Sequence, residues 1–237
     1  MGKLEVQGMI LDLDNTLYDE HQYFYLAFKQ ISHRLASICN MEERKLYDFL
    51  SNEFAQKGSQ YPKFFKYILE KLDIYSSELD QQILEIYKTV TGYMVPYPDA
   101  LQALTSLKGR VKLALVTNGI VQAQVNKVRL LGIQPHFDYI CYARELGTEN
   151  EKPNSAPFLK VLEVLKIEPD HLVSLGDNPK TDIEGTKKLG IYTVLIRRGE
   201  MSHVPFPSNY KPDLEIFNFN DLWACLESRK FRLGRTP

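Results

Sequence analysis

Apolar positions change their rhythm twice along this chain. Residues 4–14, LEVQGMILDLD, form a short apolar run of the kind that makes a buried strand. From about residue 20 to 91 strand signals disappear and apolar side chains recur every three or four residues. Phe24, Phe28, Ile31, Leu35 and Ile38 make one such stripe, the core-facing side of a helix. The pattern predicts helices over 20–38, 42–56, 61–72 and 78–92, divided by breaks near Asn40, Gly58 and 73–77. Aromatic residues crowd this block and read as the core of a small helical unit. The sequence PYPD at 96–99 then opens a helix over 98–108. Beyond it short apolar strands alternate with helices: strands 111–117, 138–143, 171–176, 192–197 and 214–217, and helices 120–131, 155–166, 180–189 and DLWACLES.

That alternation implies an α/β fold, a Rossmann-like parallel sheet with helices on both faces. The first strand matches it in character, so the helical block reads as an insertion. The expected division is an α/β core of 1–17 and 96–237 with a small all-helical cap domain over 18–95.

Composition narrows the field only slightly. Apolar residues make up 44% of the 237 and charged residues 25%, as in an ordinary soluble protein. A formal charge of −1 gives no general attraction to nucleic acid or to an anionic membrane. Cys39, Cys141 and Cys225 are odd in number and widely spaced, which argues against a disulfide framework or a zinc site. Neither a secretory leader nor an apolar stretch of membrane-spanning length is visible. The expectation is a cytoplasmic protein with no nucleic-acid or membrane partner; oligomeric state is not legible.

The chemistry lies in the polar residues just after each strand, because open parallel sheets bind ligands at the carboxyl ends of their strands. Asp12 and Asp14 come after the first, followed by Asn15 and Thr16. Taken alone this is equally a polar turn. Strand alternation would send both carboxylates to one side, an arrangement that wants a cation between them. Thr117-Asn118-Gly119 ends the second strand, Lys152-Pro153 lies beyond the third, and GDNPKTD, 176–182, ends the fourth. Asp12, Asp14 and Asp177 suit a hard cation such as Mg²⁺. Lys152 and the groups at 117–119 suit phosphate oxygens, so phosphoryl transfer is the implied chemistry.

The ordered set DLDNT, TN, KP and GDNPKTD, with a helical insert after the first motif, resembles the haloacid dehalogenase (HAD) superfamily over nearly the whole chain. DLDNTL with this cap is loosely similar to acylneuraminate 9-phosphate phosphatases and pyrimidine nucleotidases. The resemblance implies a Mg²⁺-dependent phosphatase acting on a small phosphorylated metabolite, a sugar phosphate or nucleotide. It makes Asp12 the nucleophile that becomes an aspartyl-phosphate, Asp14 the general acid–base, and Thr16 a structural brace of the loop with Asn15 as its turn residue. It places Mg²⁺ on Asp12, Asp14 (through its carbonyl) and Asp177, with Asp182 behind the metal. Thr117, Asn118 and Lys152 fall on the phosphate-binding positions, with Lys160 as the backup for Lys152 because GTENEKPN is longer than the usual lead-in. Asp14 argues against a dehalogenase, which needs no proton donor. A phosphomutase of the β-phosphoglucomutase type and a catalytically silent binding protein remain alternatives. A phosphonate hydrolase would need a cap lysine at the substrate, and Lys29 and Lys63 are available. The cap break at 56–63 and the entry segment 18–24 are the places expected to read the leaving group, with Tyr18, His21, Arg34, Tyr61 and Lys63 as the candidates for contact with it.

Overall fold

The computed structural model describes residues 4–206, 210–228 and 231–233. In chain order the elements are β1 (Leu4–Val6), β2 (Gly8–Leu11), α1 (His21–Cys39), α2 (Glu43–Lys57), α3 (Phe64–Lys71), α4 (Ser77–Lys88), α5 (Pro98–Leu107), β3 (Lys112–Thr117), α6 (Val121–Leu131), β4 (Tyr139–Tyr142), α7 (Ala156–Leu165), β5 (Leu172–Gly176), α8 (Glu184–Lys188), β6 (Tyr192–Ile196), β7 (Leu214–Ile216), α9 (Phe219–Glu227) and β8 (Phe231–Leu233).

Six strands form one parallel sheet in the order β4-β3-β2-β5-β6-β7. Every residue of β2 and β5 is buried, as expected for strands covered on both faces. The chain builds outward from β2 in one direction, returns to its other side at β5, and continues to β7. This reversal puts a crevice at the carboxyl end of β2. Register then sets the site, because Leu11 lies opposite both Leu115 of β3 and Leu175 of β5. Asp12, Thr117 and Asp177 therefore leave the sheet along one edge.

The expected first strand, 4–14, is not continuous. It breaks at Gln7, whose N–H donates to the His171 carbonyl and whose carbonyl accepts from Lys112. β1 pairs with β8 in a separate two-stranded sheet. β2 ends at Leu11, and the chain turns over 12–18 with Asn15 in the left-handed region at φ 56°. That turn, rather than strand alternation, sets the directions of Asp12 and Asp14. The expected helix 180–189 is also shorter, since only Glu184–Lys188 is helical. The expected helix 61–72 starts at Phe64, behind a left-handed Lys63 at φ 54°.

Helices α1–α4 form the cap over this edge. Ser76 accepts from the Leu79 N–H and caps α4. The cap core is an aromatic cluster as expected. Phe54, 2% exposed, lies with ring centroids 4.4 Å from Phe24, 5.4 Å from Phe28 and 5.7 Å from Phe64. Entry and exit of the chain are tied together, with the Tyr97 N–H on the Leu17 carbonyl at 2.8 Å and the Gln22 amide bonded to both backbone groups of Val95. Among the described residues no helix is long and apolar enough to cross a membrane, and all three cysteines are free.

Candidate active site

At the end of β2, Lys152 holds two carboxylates together. Its Nζ donates to Asp12 Oδ1 at 2.5 Å, to Asp182 Oδ1 at 2.7 Å and to the Val116 carbonyl at 3.1 Å. The Thr16 hydroxyl donates to the other Asp12 oxygen at 3.2 Å, the bracing role expected of it. Burial works against the Lys152 charge, but Asp12 and Asp182 outweigh it and hold the ammonium above the ordinary lysine range. Asp12 itself is pushed up to about 7, by burial first and then by Asp182 and Asp14, against the pull of Lys152.

One oxygen each of Asp12, Asp177 and Asp182 lie within 4.8 Å of one another, all three residues buried. Asp182 reaches this cluster because residue 176 is glycine; a Cβ there would come within 2.2 Å of its carboxylate. Its second oxygen takes the Asn178 N–H at 2.9 Å. The Asp177 side chain has no hydrogen-bond partner among the described residues, and burial together with Asp12 and Asp182 raises its pKa well above the usual range. Three buried acids around one ammonium leave a deficit of positive charge. The oxygen-only donor set and the unpartnered Asp177 fit a hard divalent cation such as Mg²⁺.

Asp14 lies in a different environment. The Tyr18 hydroxyl donates to its Oδ1 at 2.6 Å, Lys127 Nζ to the same oxygen at 2.7 Å, and Gln124 Nε2 to Oδ2 at 2.8 Å. Burial alone would raise this carboxyl. Lys127, first through its charge and then with Tyr18 and Gln124 through hydrogen bonds, outweighs that and holds Asp14 below its ordinary value. Lys127 is 1% exposed and also reaches Glu20 Oε1 at 3.3 Å. Glu20 is pushed up to about 7, by burial and by Asp14 and against Lys127.

Thr117 Oγ1 accepts from Gln124 Nε2 at 2.5 Å, which ties it to the Asp14 group. The Asn118 side chain is engaged at both ends by the Lys152 backbone, donating to its carbonyl and accepting its N–H, each at 2.9 Å. It braces the loop that carries Lys152, and the Lys152-Pro153 peptide there is cis. The Gly119 N–H donates to Glu151 Oε1 at 2.6 Å, and Glu151 also pairs with Arg144 through Nε at 3.2 Å and Nη2 at 3.0 Å. Asp12, Asp14, Thr117, Asn118, Lys152, Asp177 and Asp182 all line one cavity of ≈ 460 Å³. A second cavity of ≈ 330 Å³ opens from it beneath the cap.

The candidates for leaving-group contact separate. Tyr61 and Lys63 line the second cavity. Tyr18 also lies in the site, but it is fully buried and serves Asp14. His21 bonds Glu200 at 2.9 Å. Arg34 is held by Gln82 on the cap exterior, and Lys29 lines a groove away from both cavities. Lys160 pairs with Glu163 in solvent. Gln124, Lys127 and Arg144 are site residues that sequence reasoning missed, whereas Glu20 and Glu151 lie in stretches it pointed to without assigning either residue a role. The signal for the first two was present: in the helix predicted over 120–131, 124 and 127 fall on the same stripe as Ala123, Val128 and Leu131. A lysine on a core-facing stripe asks for a buried acid.

A parallel sheet with buried acids and a buried lysine at its carboxyl edge, roofed by helices, is the arrangement expected of the superfamily that the sequence motifs resemble. The chain belongs to the haloacid dehalogenase-like hydrolases, whose family model matches residues 9–196. It is 28% identical to a glyceraldehyde 3-phosphate phosphatase of Methanopyrus kandleri over 89% of this chain and 93% of that protein. It is 27% identical to the mouse (Mus musculus) N-acylneuraminate-9-phosphatase over 96% of each. Among solved structures it resembles the magnesium-bound HAD-hydrolase YfnB of Bacillus subtilis, with a TM-score of 0.68, 20% identity, and coverage of 94% of this chain and 99% of that one. An L-2-haloacid dehalogenase of Xanthobacter autotrophicus gives a TM-score of 0.66 at 18% identity, covering 94% and 98%. At such identities the structural likenesses establish the fold, and the choice of reaction rests on the site.

Proposed function

We propose that this protein is a Mg²⁺-dependent phosphoric monoester hydrolase acting on a small phosphorylated metabolite, with residues 18–95 as the cap over its site. The observation that carries this reading is the treatment of Asp14. A carboxylate given an ammonium, a phenol and an amide, each within 2.8 Å, has a task in the reaction. Displacement of halide asks for no proton donor, whereas the alcohol leaving a phosphate monoester does. The two phosphatases to which the chain is similar support the same choice.

An Asp12 carboxylate oxygen attacks phosphorus, forming an acyl phosphate (aspartyl-phosphate) as the bond from phosphorus to the leaving oxygen breaks. Asp14 in its acid form gives that oxygen its proton, and the alcohol departs. A water then attacks phosphorus and passes its proton to Asp14. The bond to Asp12 breaks, and inorganic phosphate is released. The Lys127 clamp favours ionised Asp14, the form the second half needs, while a phosphate dianion nearby raises its proton affinity for the first. Lys152 keeps Asp12 and Asp182 in register and presents its charge beside the transferring group. Asp12, Asp177 and the Asp14 carbonyl would hold Mg²⁺, with Asp182 supporting them. The ion would supply positive charge that keeps Asp12 ionised and offsets the phosphate. Thr117 and the Asn118 backbone would take phosphate oxygens together with Lys152, while the Gly119 N–H is occupied by Glu151.

The test is phosphate release from p-nitrophenyl phosphate and from a panel of sugar phosphates and nucleoside monophosphates. We expect Mg²⁺-dependent turnover that Asp12→Asn lowers by at least about a thousandfold. Wild-type protein with Mg²⁺ that releases no phosphate from any of them would refute the proposal.

A further inference from the structure

The two cavities meet at a junction lined in common by Asp14, Glu20, Ser59, Asn118, Gly119 and Arg144. If Asp12 attacks phosphorus, the leaving group crosses this junction, because Asp14 and the second cavity lie on that side. Most polar groups there are already engaged. Asp14 has three donors, the Asn118 amide braces Lys152, and the Gly119 N–H and the Arg144 guanidinium both hold Glu151.

Glu20 is the exception. Its side chain is 14% exposed, and Lys127, its partner at 3.3 Å, is shared with Asp14 at the shorter distance of 2.7 Å. Ser59 is within hydrogen-bonding reach of Glu20, yet its hydroxyl also donates to Glu200 and has a single proton to give. A carboxylate accepts about four hydrogen bonds when ionised. Glu20 is thus rich in acceptors and short of donors where the first carbons of a leaving group must pass. Beyond it the second cavity offers Phe24, Phe64 and Tyr87, flat apolar faces suited to the C–H side of a polyol.

We propose that Glu20 is a specificity-determining residue that accepts a hydrogen bond from a leaving-group hydroxyl close to the phosphoester carbon. The preferred substrates are then phosphates of vicinal polyols or sugars, rather than of plain alkyl or aryl alcohols. This rests on the phosphatase reading above. A site built to bond a hydroxyl rejects the analogue that lacks it, because the buried acceptor is left unpaired.

The experiment compares kcat/KM for glycerol 3-phosphate and n-propyl phosphate, equal in carbon number, using the full chain with Mg²⁺. Wild type is expected to prefer glycerol phosphate by a factor on the order of ten or more. In Glu20→Gln that ratio should fall to within about threefold. If Glu20 only holds Lys127 in place, the variant loses both activities alike and keeps the ratio, which overturns the proposal. A wild type that does not discriminate overturns it too. Glu20→Asp, which keeps a charge near Lys127 but withdraws the carboxylate by one methylene, must also lower the ratio and serves if Glu20→Gln does not fold. Absence of release from p-nitrophenyl phosphate as well would instead mark failure of the phosphatase reading.

Discussion

Lys127→Met tests whether the buried ammonium organises the base of the cap. Methionine keeps most of the volume of the lysine stem, so little of the effect comes from a cavity. What is lost is one charge bonded to Asp14 at 2.7 Å and to Glu20 at 3.3 Å, together with its position 5.2 Å from the Tyr23 ring centroid. Breaking a buried pair by removing one partner costs about 3–5 kcal/mol. Asp14 keeps Tyr18 and Gln124, and Glu20 is able to protonate, so the low end, about 3 kcal/mol, applies. The folded pKa of Lys127 lies above its ordinary 10.5, so its contribution is fully present below that pH and is lost only above it. Glu20, at about 7, carries its charge at pH 8 and loses it by pH 5.5. The Met variant should therefore be more destabilised relative to wild type at pH 8 than at pH 5.5. Adding Glu20→Gln should recover about 1 kcal/mol or more at pH 8. Urea unfolding followed by far-UV circular dichroism measures both quantities, provided the m-value is unchanged. A loss below about 1 kcal/mol at pH 8, or no rescue by the second substitution, would refute the account of the clamp.

Three other outcomes are expected from separate parts of the molecule. Mg²⁺ at about a hundred times its Kd should stabilise the protein by about 2.7 kcal/mol, seen as a rise of several degrees in Tm; Asp177→Asn, which removes the unpartnered acid, should abolish that rise. Asp99 is bonded by Arg198 at 2.7 Å and by the Phe219 N–H at 2.8 Å, and despite burial these hold its carboxyl below 3.8. Its contribution is fully present above that pH and is lost as pH falls through its folded value, so Asp99→Asn should cost about 2 kcal/mol at pH 7 and progressively less as the pH is lowered below 3.8, read as paired denaturation midpoints. Phe54→Ala should cost about 3–5 kcal/mol in urea unfolding, because Phe54 touches aromatic rings from α1 and α3 at the centre of the cap; a loss below about 1 kcal/mol would mean the cap adds little to overall stability.

Much of the fold was legible because its signals are local. Strand and helix alternate with apolar runs short enough to distinguish, and the apolar stripe of 24–38 reports a helix directly. The failures arise where a distant contact decides. Gln7 breaks the first run because its backbone bonds reach the His171 carbonyl and the Lys112 N–H, and β1 finds its partner in β8, at the far end of the chain. The helix expected from 180 starts at Glu184 because the preceding residues curl Asp182 back under Gly176, where its carboxylate meets Lys152 and the Asn178 N–H. A functional side chain there outranks helix propensity.

The site shows the same division more sharply. The acids at 12, 14, 177 and 182 were visible, since each comes after an apolar strand, but their pairing was not. Two carboxylates two residues apart suggested one shared cation. Each side chain also has its own lysine, Lys152 at a separation of 140 residues and Lys127 at 113. Lys152 comes from the loop before α7 and Lys127 from the buried stripe of α6, so the two acids lie in separate fields. Asp12, crowded by Asp182, is pushed up to about 7, while Asp14 is held below its ordinary value. The order is the reverse of what a nucleophile and a proton donor need. In the proposed mechanism Asp12 and Asp177 would hold a cation whose charge favours the ionised form of Asp12, and the phosphate dianion would raise the proton affinity of Asp14. In that mechanism metal and substrate together would set the protonation states of the two acids, each through the lysine-bound carboxylate it approaches.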